Sequence, residues 1–82
     1  MEKDEKNIIG QRMRVYRAMQ KPPMQQSDLL ARLHLNGLEI TQSTLSKIEN
    51  AERIVSDFEL FAISKALNVD ILWLLGEKET FS

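Results

Sequence analysis

Residues 26–50, with the sequence QSDLLARLHLNGLEITQSTLSKIEN, decide the fold of this chain. Leucines recur at helical spacing through the first ten of them. Gly37 then indicates a helix end, because glycine accepts the left-handed conformation at low cost. Thr41 is a good N-cap for a second helix, in which only Leu45 and Ile48 are apolar. The stretch therefore predicts two short helices joined by a turn, the second of them largely polar.

Helical periodicity continues on both sides of this pair, whereas no stretch shows the sustained alternation of a strand. Pro22 and Pro23 end the preceding helix, because proline removes a backbone donor and disfavours helical geometry in the residue before it. Ser56 and Glu59 form a capping box that begins the fourth helix. These patterns predict a compact all-α bundle of five helices, over about residues 4–20, 26–35, 42–50, 56–67 and 70–75.

A chain of 82 residues has room for one hydrophobic core. We expect residues 1–7 to extend helix 1, residues 8–76 to form the folded domain and residues 77–82 to form a C-terminal tail. The ends of the chain, about residues 1–5 and 78–82, are predicted to fray.

Composition excludes several classes of protein. The absence of cysteine and the single histidine exclude a disulfide framework and a zinc cluster, and His34 is predicted to be a surface residue. The longest apolar run, residues 71–75, is far shorter than the ~20 residues that span a bilayer. No nucleophile–base pair or phosphate-binding glycine loop is evident, which argues against an enzyme and against a cofactor. We expect a soluble, cytoplasmic protein.

The charge distribution is more informative than the net charge. A net charge of −1 lacks the basic excess expected of a nucleic-acid binder. Basic residues nevertheless predominate over residues 11–34, and acidic residues predominate over residues 56–82. A domain polarised in this way can present a positive face. The alternative interpretation is that these charges belong to ordinary solvated helix faces.

The third predicted helix offers a polar face once its two apolar residues are buried. Gln42, Ser43, Ser46 and Lys47 then project outward, with Thr44 at the boundary. Glutamine pairs with adenine, lysine with guanine, and serine or threonine with several base edges. Two short helices joined by a turn, the second of them polar, are typical of the helix-turn-helix motif, whose second helix lies in the major groove. The alternative interpretation is an ordinary polar surface helix.

Three blocks of the sequence closely resemble the phage-repressor/Cro-type (XRE-like) helix-turn-helix family: residues 9–14 (IGQRMR), 26–33 (QSDLLARL) and 43–50 (STLSKIEN). Residues 66–76 (ALNVDILWLLG) look like the last two helices of that family. The resemblance covers about residues 8–76. It implies a lambda-repressor-like five-helix domain that binds double-stranded DNA, usually as a dimeric transcription regulator on a palindromic operator.

The resemblance also implies roles for single residues. The family's base-facing positions are occupied here by Gln42, Ser43, Thr44, Ser46 and Lys47. Its phosphate-contacting positions are occupied by Gln26, Asn50 and Arg53. Arg17 and Glu49 occupy positions where the family often pairs helix 1 with the end of helix 3, and a half-buried carboxylate needs such a partner. Arg12 and Arg14 on helix 1 are further candidates for a phosphate contact, with solvated side chains as the alternative.

The chain departs from the family pattern at four places. The link between helices 1 and 2 is about two residues longer, around Pro22 and Pro23. The turn over residues 36–40 is about five residues longer, and Leu38 and Ile40 are expected to pin it to the core. Gln25 stands where the family prefers a threonine or serine cap. Ala51 replaces the usual glycine after helix 3, so this helix is expected to end without a left-handed glycine.

Two functions are compatible with these features. The first is a sequence-specific DNA-binding regulator of transcription, most simply a repressor. The second is a protein-interaction module, an antitoxin-like protein or adaptor on the same scaffold, which the near-neutral charge and the acidic C-terminal region favour. Trp73 in that region is predicted to pack in the core, with a self-association patch as the alternative.

Overall fold

The structure, a computed structural model, describes residues 4–82. In that range it contains five α-helices and no strand, which confirms the predicted all-α class. The helices are α1 (Gly10–Met19), α2 (Gln26–Leu35), α3 (Gln42–Glu49), α4 (Asp57–Leu67) and α5 (Ile71–Leu74). No helix in this range is both long enough and apolar enough to cross a bilayer.

Three of the helices begin at an N-cap residue whose side-chain oxygen accepts from a backbone amide of the first turn. The Thr44 amide donates to the Thr41 hydroxyl at 3.1 Å, and the Glu59 amide donates to the Ser56 hydroxyl at the same distance. A carboxylate oxygen of Asp70 accepts from the amide of Leu72. Each bond satisfies an amide that the first turn of a helix leaves without an intrahelical partner.

The core lies where α2 packs against both α3 and α4, while α1 covers α3 and α5 covers α4. The apolar positions at helical spacing are the ones that become buried. The large side chains that are fully buried are Met13, Leu29, Leu33, Leu45, Ile48, Ile63, Leu67 and Leu74. The apolar side of α3 is thus used entirely by the core, which leaves its polar side for another role.

Helix α1 begins at Gly10, six residues later than predicted. The side chain of Asn7 accounts for the difference. Its carbonyl oxygen accepts from the amides of Ile9 and Gly10, and its amide nitrogen donates to the carbonyl oxygens of Ile48 and Arg53. The polar groups of this segment therefore bind the end of α3 instead of extending α1. Of the predicted N-terminal extension, residues 1–3 lie outside the described range.

Helix α1 also packs tightly against the end of α3 at Gly10. A Cβ atom at this residue would lie 2.4 Å from the carbonyl oxygen of Ile48 and 2.7 Å from that of Glu49. Real Cβ atoms do not approach backbone atoms so closely. Only glycine therefore lets the two helices pack at this separation.

The long turn between α2 and α3 is pinned to the core, as predicted. Gly37 adopts a left-handed conformation (φ 86°), and the amide of Leu38 donates to the carbonyl oxygen of Leu33 at 2.9 Å. Leu38 and Ile40 are half-buried against the core. His34 lies on the surface with its side chain 62% exposed. The additional residues thus leave α2 and α3 packed against each other.

The first turn of α2 is capped without a threonine or serine. A carboxylate oxygen of Asp28 accepts from the backbone amide of Gln25 at 3.0 Å. This is the backward-reaching half of a capping box, with aspartate in the place of the usual glutamate. Asp28 also places negative charge at the positive end of the helix dipole.

The C-terminal tail folds onto the domain, so the prediction of a frayed end over residues 78–82 is wrong. The ring of Phe81 packs edge-to-face against Trp73 (centroids 4.8 Å apart) and against Tyr16 (5.2 Å). The amide of Asp70 donates to the carbonyl oxygen of Phe81, and Lys78 Nζ lies 3.0 Å from Asp70 Oδ2. The Lys78 ammonium holds the pKa of Asp70 below its ordinary value. Trp73 is buried, which confirms the core-packing interpretation.

Helix α3 ends in a left-handed residue, although that residue is not glycine. Ala51 has φ 60°. The amide of Ala51 donates to the carbonyl oxygen of Ile48, and the amide of Glu52 donates to the carbonyl oxygen of Lys47. These two bonds satisfy carbonyl groups in the last turn of the helix. A side chain in this conformation places Cβ too close to the following carbonyl group, at a cost of about 1–2 kcal/mol.

We therefore expect Ala51→Gly to stabilise the protein by about 1 kcal/mol, or by ~4–8 °C in Tm, since glycine removes that strain. Urea and thermal unfolding measure the effect. The matched control is Ala31→Gly at an exposed position inside α2, where the same change should cost about 1 kcal/mol. A loss of stability at both positions would contradict the assigned strain.

Candidate nucleic-acid interface

The outward face of α3 is polar and is not covered by the described chain. Gln42, Ser43 and Lys47 are exposed, while Thr44 and Ser46 are half-buried at the edges of this face. The long turn packs against the core, and the C-terminal tail packs against the aromatic rings of α1 and α5. A DNA duplex therefore has access to the helix.

A buried ion pair ties α1 to α3. Arg17 Nε donates to Glu49 Oε2 and Arg17 Nη2 donates to Glu49 Oε1, both at 2.7 Å. Arg17 Nη1 donates to the carbonyl oxygen of Met24 just before α2. The side chains of Arg17 and Glu49 are only 17% and 3% exposed. The structure thus brings together the two residues that the family resemblance pairs, and a carboxylate so deeply buried requires this bidentate partner.

Gln26 connects the ion pair to the outward face of α3. Its Nε2 donates to Glu49 Oε1 at 3.0 Å, and its Oε1 accepts from Gln42 Nε2 at 3.1 Å. Ser46 Oγ lies within hydrogen-bonding distance of both ends of the same amide. A carboxylate can only accept a hydrogen bond from a glutamine amide, so Glu49 determines which end of Gln26 faces inward. The carbonyl oxygen of Gln26 consequently faces Gln42.

The turn after α3 carries the two other residues that the family resemblance assigns to phosphate. Asn50 is exposed, and Arg14 Nη1 lies 3.5 Å from Asn50 Oδ1. Of Arg12 and Arg14, the two candidates for a phosphate contact, Arg14 is therefore the one beside the end of α3. Arg12 instead lies over the ring of Trp73, with 5.0 Å between the guanidinium carbon and the ring centroid.

Arg53 has a partner that sequence reasoning did not find. Its guanidinium forms two hydrogen bonds with the carboxylate of Glu59, at 3.0 and 2.8 Å. The hydrogen bonds to Arg53 hold the pKa of Glu59 below its ordinary value, and Glu59 in turn raises the pKa of Arg53. The sequence indicated Glu59 only as a capping-box residue. It fills that role as well, because Glu59 Oε1 accepts from the Ser56 amide at 2.9 Å.

Asn7 is the second residue near the interface whose role the sequence did not predict. Its side chain holds the carbonyl oxygens of Ile48 and Arg53, which lie on either side of the turn after α3. Asn7 falls within the region predicted as helix 1, and no pattern in the sequence indicates this role. Asn7 thus fixes the backbone at the end of α3 without contacting the outward face.

The fold and this exposed helix define a helix-turn-helix domain, in which α2 supports α3. A family model with the description Helix-turn-helix matches residues 24–74, which is more than half of the chain. The chain therefore belongs to the XRE-like helix-turn-helix family of DNA-binding transcription regulators, which is not an enzyme family. No curated protein and no solved structure matches the chain.

Proposed function

We propose that this protein is a sequence-specific repressor that binds a palindromic operator as a homodimer, with α3 of each copy in the major groove. The observation that supports this most directly is the exposed polar face of α3, which Gln26 and the buried Arg17–Glu49 pair hold in place. A helix held from behind in this way keeps one orientation as it enters the groove. A domain bound there would exclude other proteins from the same DNA.

Gln42 is the proposed reader of an adenine base. One N–H of its Nε2 is directed to Gln26 Oε1. The other N–H and the carbonyl oxygen of this exposed side chain remain for a ligand. A neighbouring donor and acceptor on one planar amide match N7 and N6 of adenine. Lys47, exposed further along the same helix, is the proposed partner of guanine.

Phosphate contacts are proposed on both sides of this helix. Gln26 is the first residue of α2, and its side-chain amide lies beside the outward face of α3, 3.1 Å from Gln42 Nε2. Asn50 and Arg14 lie together at the other end of α3. Arg53 follows on the same turn, although its charge is already neutralised by Glu59. Such contacts fix the position of the protein on the duplex and leave base selection to α3.

Three exposed apolar side chains in α4 and the segment before it support the proposed homodimer. Ile54, Phe58 and Phe61 are 72%, 84% and 59% exposed. Clusters of exposed apolar side chains often mark interaction sites. Half-sites one helical turn apart place two copies ~34 Å from each other, and the domain measures 35 × 29 × 25 Å. Two copies of this size can therefore occupy neighbouring half-sites. We place this function in the cytoplasm, with the DNA.

The same exposed phenylalanines favour a second candidate function, an antitoxin-like or adaptor module that binds another protein. The two candidates differ in their response to salt. A DNA-binding regulator loses affinity steeply as salt rises, because phosphate contacts release counterions. Selection from a random DNA pool, followed by fluorescence anisotropy at two salt concentrations, distinguishes them. Recovery of a palindromic site supports the regulator, and absence of binding at low salt supports the adaptor.

Replacement of Lys47 is expected to change which DNA the protein prefers. Lys47→Met removes one base contact, so affinity for the selected site should fall by about 1–3 kcal/mol, while affinity for unrelated DNA should fall much less. The control is Lys65→Met, which removes the same charge from an exposed position on α4. Equal losses on every DNA sequence would contradict the base-reading role of Lys47.

A further inference from the structure

The turn after α3 carries a second bidentate ion pair, which the proposed DNA contacts do not require. Arg53 Nη1 donates to Glu59 Oε1, and Arg53 Nη2 donates to Glu59 Oε2. Arg53 Nη1 also donates to the carbonyl oxygen of Ile54 at 3.0 Å. Most of the donors on the guanidinium are thus directed to the chain itself, at a position proposed to face phosphate.

Glu59 is the fixed member of this pair and Arg53 is the movable one. The side chain of Glu59 is 12% exposed, and its Oε1 also accepts from the Ser56 amide as part of the α4 cap. The side chain of Arg53 is 34% exposed and extends from the turn. If the pair opens, Glu59 remains held by the cap, and Arg53 is the group that swings outward.

We propose that Glu59 limits the DNA affinity of this protein by competing with phosphate for the guanidinium of Arg53. The proposal rests on the DNA-binding function proposed above. A guanidinium binds a carboxylate and a phosphate through the same planar fork, so one edge of Arg53 serves only one of them at a time. Glu59 is therefore an affinity-setting residue that acts through Arg53 without touching DNA.

This arrangement acts on one component of binding alone. The contribution of phosphate contacts is independent of sequence and sensitive to salt, whereas base contacts from α3 provide selection. By withholding one positive charge, Glu59 weakens binding to all DNA equally. Its removal should therefore strengthen binding without changing the preferred sequence.

The test is Glu59→Gln, titrated against the selected duplex and an unrelated duplex over a range of salt concentrations. Glutamine serves in the third position of a capping box, so the α4 cap is preserved. We expect affinity to rise about threefold to tenfold at low salt on both duplexes, and the slope of log K against log salt to steepen by roughly 0.9, the value for one added phosphate contact. Circular dichroism verifies that the variant is folded.

Two controls assign the effect to Arg53. Asp57→Asn removes the same charge from the same turn of α4, where the Asp57 carboxylate accepts from the adjacent Phe58 amide, and it should leave the slope unchanged. Arg53→Gln should abolish the gain produced by Glu59→Gln when the two changes are combined.

The possible outcomes separate this proposal from the one on which it rests. An unchanged slope in Glu59→Gln, an equal gain in Asp57→Asn or a gain that persists without Arg53 would overturn the role of Glu59. A fall in affinity would also overturn it, since it would mean that Glu59 directs Arg53 onto phosphate. If neither the wild type nor Glu59→Gln binds any duplex at low salt, the DNA-binding function itself is wrong.

Discussion

Gly10→Ala is expected to destabilise the protein by about 2–3 kcal/mol, the upper part of the range for an overpacked core. The added methyl group would meet the carbonyl oxygens of Ile48 and Glu49 at 2.4 and 2.7 Å. These are backbone atoms at the end of α3, so relief requires the two helices to move apart. At ~4–8 °C per kcal/mol, Tm should fall by roughly 10–20 °C.

Gly37→Ala is the matched control for this effect. Gly37 has a left-handed backbone, and a Cβ atom there would meet no heavy atom within 4 Å. Its replacement should cost only the conformational strain, about 1–2 kcal/mol. Gly10 lies in a helix, where alanine is intrinsically favoured over glycine by about 1 kcal/mol. A neutral or stabilising result for Gly10→Ala would therefore mean that α1 and α3 are not packed at this distance.

Local patterns predicted the elements that depend on neighbouring residues. The bounds of α2 follow from its leucine spacing and from Gly37, and the start of α3 follows from the Thr41 cap. The polar face of α3 was evident because only two residues of that helix are apolar. These signals lie within a few positions of each other, so the sequence alone was sufficient to predict the two helices and the polar face of α3.

Contacts between distant residues were harder to predict. Asn7 binds carbonyl groups 41 and 46 positions away, and nothing near it in the sequence indicates those partners. Glu59 had a complete local explanation in the capping box, which concealed its pair with Arg53. Phe81, in the C-terminal tail, packs against aromatic rings from α1 and α5. The Arg17–Glu49 pair was anticipated only through the family resemblance, since its partners are 32 positions apart.

Glu49→Gln is expected to cost about 3–4 kcal/mol, because removal of one member of a buried ion pair leaves the other charge uncompensated. Arg17 is 17% exposed and would keep its bond to the carbonyl oxygen of Met24, but it would lose its ionic partner. Urea unfolding at neutral pH measures the loss. The matched control is Glu59→Gln, which makes the same change in a pair whose arginine is more exposed, and which should cost only about 1 kcal/mol.

The same substitution should also weaken base selection, in a way that a purely structural role would not. A glutamine at position 49 both donates and accepts, so it no longer determines which end of the Gln26 amide faces inward. The Gln26 amide can then turn over and present a donor to Gln42, whose own amide must turn in response. The proposed preference for adenine at the Gln42 position should relax, while selection by Lys47 should persist.

Binding-site selection with folded Glu49→Gln, at a temperature well below its Tm, measures both positions at once. If the variant loses stability but keeps the adenine preference, then Gln42 does not depend on the buried pair for its orientation.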